Sequence, residues 1–218
     1  MTCSRRVYMI LLVLIMDNIE NMNLGDEMDN RTRCFWAGTD PIYIDYHDND
    51  WGRPVHDDEK LFEMLVLEGM QAGLAWITVL RKRDAFREAF DGFDPRKVAL
   101  YGDDKIQELM SNEKIIRNRL KIISTINNAK LFLKIVEEHG SFDRFIWAYT
   151  DFKPVTGHWK RFEDMPLTTP LADKISADLK KMGFKFVGPT VIYSFLQATG
   201  IVNDHLADCF VYEELQRG

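Results

Sequence analysis

The sequence predicts an all-α fold. Apolar residues recur at helical spacing along most of the 218-residue chain, for example at Leu61, Phe62, Leu65 and Val66. Capping side chains and prolines precede the periodic segments, and glycines follow several of them. Alternation of apolar and polar residues of the kind seen in strands nowhere exceeds four or five residues.

The predicted helices begin at recognisable caps. Asp57 precedes the first periodic segment, which Gly69 and Gly73 interrupt before two further helical stretches, LAWITVL and DAFREAF. Asp94 and Pro95 open a short helix through Leu100. Further helices are predicted over 112–136, from Ser141, over 169–183, over 188–200 and from Asn203 onward.

Composition limits the class of protein. Apolar residues make up 46% of the chain and charged residues 28%, which fits one or two globular domains and excludes a disordered chain. Three cysteines are too few for a disulfide-rich secreted scaffold, so the cytoplasm is the expected compartment. The net charge of −6 does not indicate a nucleic-acid binder, yet local charge can still favour one.

Residues 1–27 differ from the rest of the chain. A ten-residue apolar run, VYMILLVLIM, follows Arg5 and Arg6 and is too short to span a membrane. Three interpretations remain open: an upstream start assigned in error, a peripheral or core-docking segment, and a targeting signal. We favour the first, because the organised sequence begins after Met28.

Two pairs of metal-ligand residues lie far apart in the chain. Cys34 and His47 are thirteen positions apart in a loop-like segment, and His205 and Cys209 are four apart, which would place them on one face of a helix. Two thiolates and two imidazoles complete the tetrahedral shell of a structural zinc site. Buried thiols and solvent-facing imidazoles remain the alternative.

A carboxylate lies in an otherwise apolar stretch. Glu68 occurs within VLEGMQAGLAW, eight residues before Trp76, and several aromatic residues surround the first metal-ligand pair. An ionised carboxylate on a buried face requires a partner or a polar ligand. Glu68 therefore either faces solvent or caps a neighbour, or it accepts hydrogen bonds in an aromatic pocket where a flat base would stack.

The segment 180–205 predicts two helices joined by a short turn between glycines. Gly183 and Gly188 bracket FKFV, so backbone amides can approach a phosphate, and Lys185 adds positive charge. This segment is similar to the helix-hairpin-helix element of the DNA glycosylase superfamily. Asn203 occupies the place where that superfamily commonly has a catalytic aspartate, and Asp204 follows it. An ordinary connection between helices is the alternative.

Three segments together resemble the bacterial DNA-3-methyladenine glycosylase I family. They are CFWAGTDPIYIDYHDNDWG (34–52), LFEMLVLEGMQAGLAWITVLRKR (61–83) and GFKFVGPTVIYSFLQATGIVNDHLADC (183–209). The resemblance implies a helix-hairpin-helix glycosylase domain over 28–218, with two helical lobes and a base pocket between them. It also implies one structural Zn²⁺ per chain, joining the N-terminal segment to the last helix through Cys34, His47, His205 and Cys209.

The same resemblance implies a function and a set of site residues. We expect a monofunctional base-excision-repair enzyme that flips 3-methyladenine out of alkylated double-stranded DNA, acting as a monomer without membrane contact. Base recognition is expected from Glu68, Tyr46 and Trp76, with Trp36, Tyr43 and Asn203 also lining the pocket. DNA contacts are expected from Gly183, Lys185 and Gly188, from an inserted Leu74, and from Arg81, Lys82 and Arg83.

Two functions from other classes compete with this one. A zinc-stabilised helical module could bind DNA without catalysis, in which case methylated DNA would release no free base. A zinc hydrolase needs an open metal position, which four nitrogen and sulfur ligands do not leave.

Overall fold

The computed structural model describes residues 31–217, so the predictions for residues 1–27 and for a start at Met28 lie outside the described range. Within that range the chain forms eleven α-helices, four short 3-10 helices and two two-residue strands. The α-helices are α1 (Pro41–Asn49), α2 (Asp58–Gln71), α3 (Trp76–Leu80), α4 (Arg83–Ala89), α5 (Pro95–Val98), α6 (Asp103–Ser111), α7 (Arg119–His139), α8 (Phe142–Trp147), α9 (Pro170–Met182), α10 (Pro189–Ala198) and α11 (Phe210–Arg217). The 3-10 helices are Phe35–Ala37, Asp91–Phe93, Ala148–Thr150 and Phe162–Asp164, and the strands are β1 (Val155–Thr156) and β2 (Val202–Asn203).

Helix α2 lies at the centre of the fold. It begins where the Asp57 carboxylate accepts a hydrogen bond from the backbone N–H of Lys60, and every residue from 61 to 70 is buried. Helix α7 packs across it, with the rings of Phe62 and Phe132 5.1 Å apart. The stretch 61–70 has no solvated face, so each polar side chain within it needs a specific partner or role.

A small parallel strand pair brings distant parts of the chain together. Val155 pairs with Val202 and Thr156 with Asn203. The carboxylate of Asp204 accepts hydrogen bonds from the indole N–H of Trp159 (2.7 Å) and from the side-chain amide of Gln197 (2.8 Å). These bonds fix the segment that follows β2 against the body of the protein.

The all-α prediction is confirmed, and so are most of the predicted helix starts. Asp57, Asp94, Ser141 and Thr169 each accept a hydrogen bond from a backbone N–H in the first turn of the helix that follows. Gly140 and Gly183 end α7 and α9 in the left-handed conformation, at φ 88° and 102°. Between residues 31 and 217 no helix combines the length and apolar character needed to cross a membrane.

Two predicted helix starts are wrong. The long helix begins at Arg119 and not at Asn112, because Asn112 ends α6 and its side chain accepts only one local bond, from the N–H of Lys114. The last helix begins at Phe210 and not at Asn203, because residues 202–203 pair with β1. Helices α1 and α6 were not predicted.

Candidate active site and metal centre

Four buried side chains form a cluster of metal-ligand atoms. Cys34 precedes the first 3-10 helix, His47 lies on α1, and His205 and Cys209 lie between β2 and α11. All four are buried, and their ligand atoms lie within 4.8 Å of one another. The predicted grouping is confirmed, but two of its local assignments are wrong. His47 is helical, whereas His205 and Cys209 are not on a helix and meet through a turn.

The distances between these atoms fit a tetrahedral metal shell. The sulfur of Cys209 lies 3.4 Å from Nε2 of His47 and 3.5 Å from Nδ1 of His205, which is also 3.5 Å from the sulfur of Cys34. Zinc bonds of about 2.3 Å to sulfur and about 2.0–2.1 Å to nitrogen place tetrahedral ligands about 3.6 Å apart. The cluster could therefore hold one such ion without rearrangement.

The second nitrogen of each histidine has a partner that orients the ring. Nδ1 of His47 lies 2.7 Å from the carboxylate of Asp48, which Arg33 holds at 2.7 Å. Nε2 of His205 donates to the backbone carbonyl of Trp51 at 2.9 Å. Such partners fix the tautomer that presents a lone pair to a metal. Sequence reasoning missed Asp48, although its position next to His47 was a signal.

Aromatic rings form a second cluster beside the metal ligands. The ring of Trp36 lies 5.9 Å from Tyr43, 6.3 Å from Tyr46 and 4.9 Å from Trp51. The ring of Tyr46 in turn lies 5.4 Å from that of Trp76. The hydroxyl of Tyr43 accepts a hydrogen bond from the N–H of Ile77 at 3.1 Å, which ties α1 to the start of α3. That bond holds Trp76 against Tyr46.

Glu68 is a buried carboxylate without a hydrogen-bond partner among residues 31–217. Its exposure is 4%, so the alternative that it faces solvent is wrong. Burial raises the pKa of Glu68 to about 8. Burial, with the nearby Glu68 charge, also raises the pKa of Tyr46 well above its usual value, so the phenol stays protonated.

A buried donor without a partner accompanies this acceptor. The indole nitrogen of Trp76 is fully buried and donates no hydrogen bond to any of the described residues. Buried polar groups are nearly always paired, so an unpaired group calls for an explanation such as a ligand. Together with the Tyr46 ring, the Glu68 carboxyl and the Trp76 indole N–H can therefore bind a flat ligand, offering it both a hydrogen-bond acceptor and a donor.

Helix α7 is hydrogen-bonded to the turn between α9 and α10. The side chain of Asn128 accepts from the N–H of Lys185 (2.9 Å) and donates to its carbonyl (2.8 Å). Within the described residues, the N–H groups of residues 186–188 have no hydrogen-bond acceptor. The side chain of Lys185 is exposed, and Gly188 caps α10 with open space around its α-carbon.

The other predicted site residues occupy varied environments. The side-chain oxygen of Asn203 accepts from the N–H of His205 at 3.2 Å. Leu74 is half-buried in the turn between α2 and α3. Arg81 pairs with Asp40, Lys82 donates to the carbonyl of Lys114, and Arg83 pairs with Glu63 and Asp50. The ion pairs of Arg83 leave it poorly placed for a phosphate contact.

Several known proteins are similar to this one in fold and sequence. A family model for methyladenine glycosylase matches residues 36–212. The DNA-3-methyladenine glycosylase 1 of Escherichia coli (strain K12) is 46% identical over 180 residues, covering 83% of this chain and 96% of that protein. A crystal structure of 3-methyladenine DNA glycosylase I has a TM-score of 0.79 at 47% identity, covering 82% of this chain and 98% of the other. A tyrosine-to-phenylalanine variant of 3-methyladenine DNA glycosylase I, in complex with 3-methyladenine, has a TM-score of 0.79 at 40% identity, covering 82% and 96%.

These similarities define the class of protein as a DNA glycosylase, a hydrolase that cleaves N-glycosyl bonds. Because the family model spans most of the sequence, the chain belongs to the methyladenine glycosylase family. The family inferred from the sequence is thereby confirmed. Membership argues against both competing functions, the non-catalytic DNA-binding module and the zinc hydrolase.

Proposed function

We propose that this protein removes 3-methyladenine from alkylated double-stranded DNA as a monofunctional, monomeric base-excision-repair glycosylase. The observation that carries the proposal is Glu68, a buried carboxylate with no hydrogen-bond partner among residues 31–217, beside the Tyr46–Trp76 ring pair. The relative solved with 3-methyladenine supports a binding site for that free base on the same fold.

Methylation of the adenine itself makes the glycosidic bond easier to break. Methylation at N3 gives the adenine a positive charge, so its glycosidic bond breaks with both electrons leaving on a neutral base. Water adds to the sugar carbon and loses a proton, which completes the hydrolysis without a strong general acid. The protein's main tasks are then to extrude the nucleotide and to hold the cationic base in a water-poor pocket.

Each pocket residue has a role in this proposal. The carboxylate of Glu68 accepts a hydrogen bond from the exocyclic amine and favours a cationic base over a neutral one. The rings of Tyr46 and Trp76 stack on the base, worth about 1–3 kcal/mol per stacked base. Trp36 and Tyr43 line the pocket and support these two rings, and Asn203 is proposed to border the pocket from β2.

DNA binding is proposed at the turn between α9 and α10, used as a helix-hairpin-helix element. Three consecutive N–H groups at 186–188 have no acceptor within residues 31–217, and backbone amides of this kind bind phosphate without reading sequence. Gly183, Lys185 and Gly188 shape and charge this surface. Leu74 is proposed to fill the gap that the flipped nucleotide leaves.

We propose Zn²⁺ as the ion of the Cys34, His47, His205 and Cys209 cluster, with a structural role. When bound, it supplies a fixed link between the N-terminal segment and the segment before α11. Four protein ligands leave no position for water, so none of the hydrolytic steps requires it.

The proposal is tested by incubating the purified protein with methylated duplex DNA and separating the released bases by chromatography. We expect free 3-methyladenine, with strands that break only after alkali. Glu68→Gln is expected to lower the excision rate by at least about tenfold, because a hydrogen bond to a charged group contributes about 1.5–3 kcal/mol. Its metal content should match that of the wild type.

Glu59→Gln is the matched control, since Glu59 lies on the same helix but is exposed and, among residues 31–217, forms an ion pair with Arg96 alone. It should excise at the wild-type rate. Wild-type protein that releases no methylated base would contradict the proposed function, and full activity in Glu68→Gln would contradict the role of that carboxylate.

A further inference from the structure

A buried lysine without a carboxylate partner lies at the end of the helix that carries Glu68. Lys121, in the first turn of α7, is 7% exposed and forms no salt bridge within residues 31–217. Its ammonium donates to the carbonyls of Met70 (2.7 Å) and Ala72 (2.8 Å). Removing a cation from water is costly, so a lysine used only to end a helix would be unusual here.

Those two carbonyls lie in the segment that connects Glu68 on α2 to Trp76 on α3. Met70 lies two residues after Glu68, and Ala72 begins the turn that leads through Leu74 to Trp76. The turn's other hydrogen bonds are local: the N–H of Leu74 donates to the carbonyl of Gln71 at 2.7 Å, and the side chain of Gln71 donates to the carbonyl of Leu74 at 2.7 Å. Gly73 adopts φ 84° with open space around it. The Lys121 ammonium adds two bonds that tie this connection to α7.

The same lysine lies against the turn between α9 and α10. Its ammonium is 5.8 Å from the centre of the Phe186 ring. A side chain added at Gly69, the residue after Glu68, would approach Phe186 to 3.4 Å, so helix α2 and this turn are in close contact. Asn128, two turns further along α7, holds Lys185 through both of its backbone groups. Helix α7 thus contacts both the turn between α9 and α10, where we propose that phosphate binds, and the C-terminal end of α2.

We propose that Lys121 is a positioning residue for base excision: it fixes the α2–α3 connection so that Glu68 and Trp76 face the same bound base when DNA docks on the neighbouring turn. This inference rests on the proposed function. A direct phosphate contact is the competing role, but the ammonium is buried and both of its hydrogen bonds point to carbonyls inside the protein. Lys121 affects the chemical step through Glu68 and Trp76 and does not touch the base.

The test compares wild type, Lys121→Met and Lys121→Gln in single-turnover excision of 3-methyladenine and in binding of undamaged duplex DNA. Met has the length of Lys without its charge, and Gln keeps one donor if Lys121→Met folds poorly. Ile135→Val is the matched control, since Ile135 is buried on the same helix at its far end. It removes one buried carbon atom without touching the site.

The inference predicts that Lys121→Met lowers the excision rate constant at least tenfold while the dissociation constant for undamaged DNA changes less than threefold. Lys121→Gln should fall between Lys121→Met and wild type, and Ile135→Val should match wild type. Rates within twofold of wild type in both Lys121 variants would overturn the inference, as would a loss found only in DNA affinity and its salt dependence. If the wild type releases no base, the proposed function itself fails; an active wild type with equally active Lys121 variants overturns this inference alone.

Discussion

Replacing Glu68 by glutamine should stabilise the protein, and by an amount that depends on pH. The folded-state pKa of Glu68 is about 8, against 4.5 for the unfolded chain, because burial disfavours the charged carboxylate. A raised carboxyl pKa means that stability is highest below about pH 4.5 and is lost as the pH rises through about 8. Glutamine has no charge to bury, so the variant avoids this loss.

The expected magnitude follows from the two pKa values. The gap of about 3.5 pKa units corresponds to a full effect of about 5 kcal/mol, reached above pH 8, at about 1.4 kcal/mol per unit. The same linkage gives about 1 kcal/mol at pH 5. Between pH 5 and pH 9 the advantage of Glu68→Gln should therefore grow by about 4 kcal/mol.

Urea unfolding of both proteins at pH 5, 7 and 9 measures this difference directly. Glu59→Gln, exposed on the same helix, should show no comparable trend. A stability difference between wild type and Glu68→Gln that stays constant across these pH values would contradict the raised pKa of Glu68. It would mean that Glu68 ionises in the folded protein as easily as in the unfolded chain.

Two further predictions concern the pocket and the metal cluster. The excision efficiency kcat/KM should rise from pH 6 to pH 8 in the wild type and stay flat in Glu68→Gln, because a cationic base prefers the ionised carboxylate and the pKa of Glu68 is about 8; equal profiles would contradict this. Asp48→Asn should lower zinc affinity about 10–100-fold by weakening the support of His47, measured by competition with a chelator. Asp45→Asn is its control, because the exposed carboxylate of Asp45 accepts a hydrogen bond from Asn49 and lies outside the metal cluster. Equal affinities in the two variants would count against the role of Asp48.

The sequence predicted the metal ligands by residue type, but not how they meet. His47 and His205 are 158 positions apart. They come together through backbone hydrogen bonds between distant segments, from the N–H of Gly52 to the carbonyl of Gln197 (3.0 Å) and from the N–H of Phe210 to the carbonyl of Thr32 (2.9 Å), and such bonds have no signature in a sequence. The spacing of His205 and Cys209 suggested a helix, whereas the turn before α11 places both side chains equally well.

Glu68 and Lys121 show how much of the candidate site could be predicted from the sequence. The apolar neighbours of Glu68 left its burial open, and the structure shows that the side chain is buried. Lys121 lies near the start of an amphipathic helix, where a lysine ordinarily faces solvent. Its partners are backbone carbonyls of a distant segment, and carbonyls have no side-chain signature in a sequence. Asn112 misled in the opposite way, since its local hydrogen bond resembles a helix cap although no helix follows it.

The most direct test of a pocket that selects for positive charge is the ratio of two excision rates from the same duplex, that of 3-methyladenine and that of unmodified adenine. We expect a large ratio for the wild type and a clearly smaller one for Glu68→Gln, with the loss confined to the methylated base. A ratio near one, or a ratio that Glu68→Gln leaves unchanged, would contradict it.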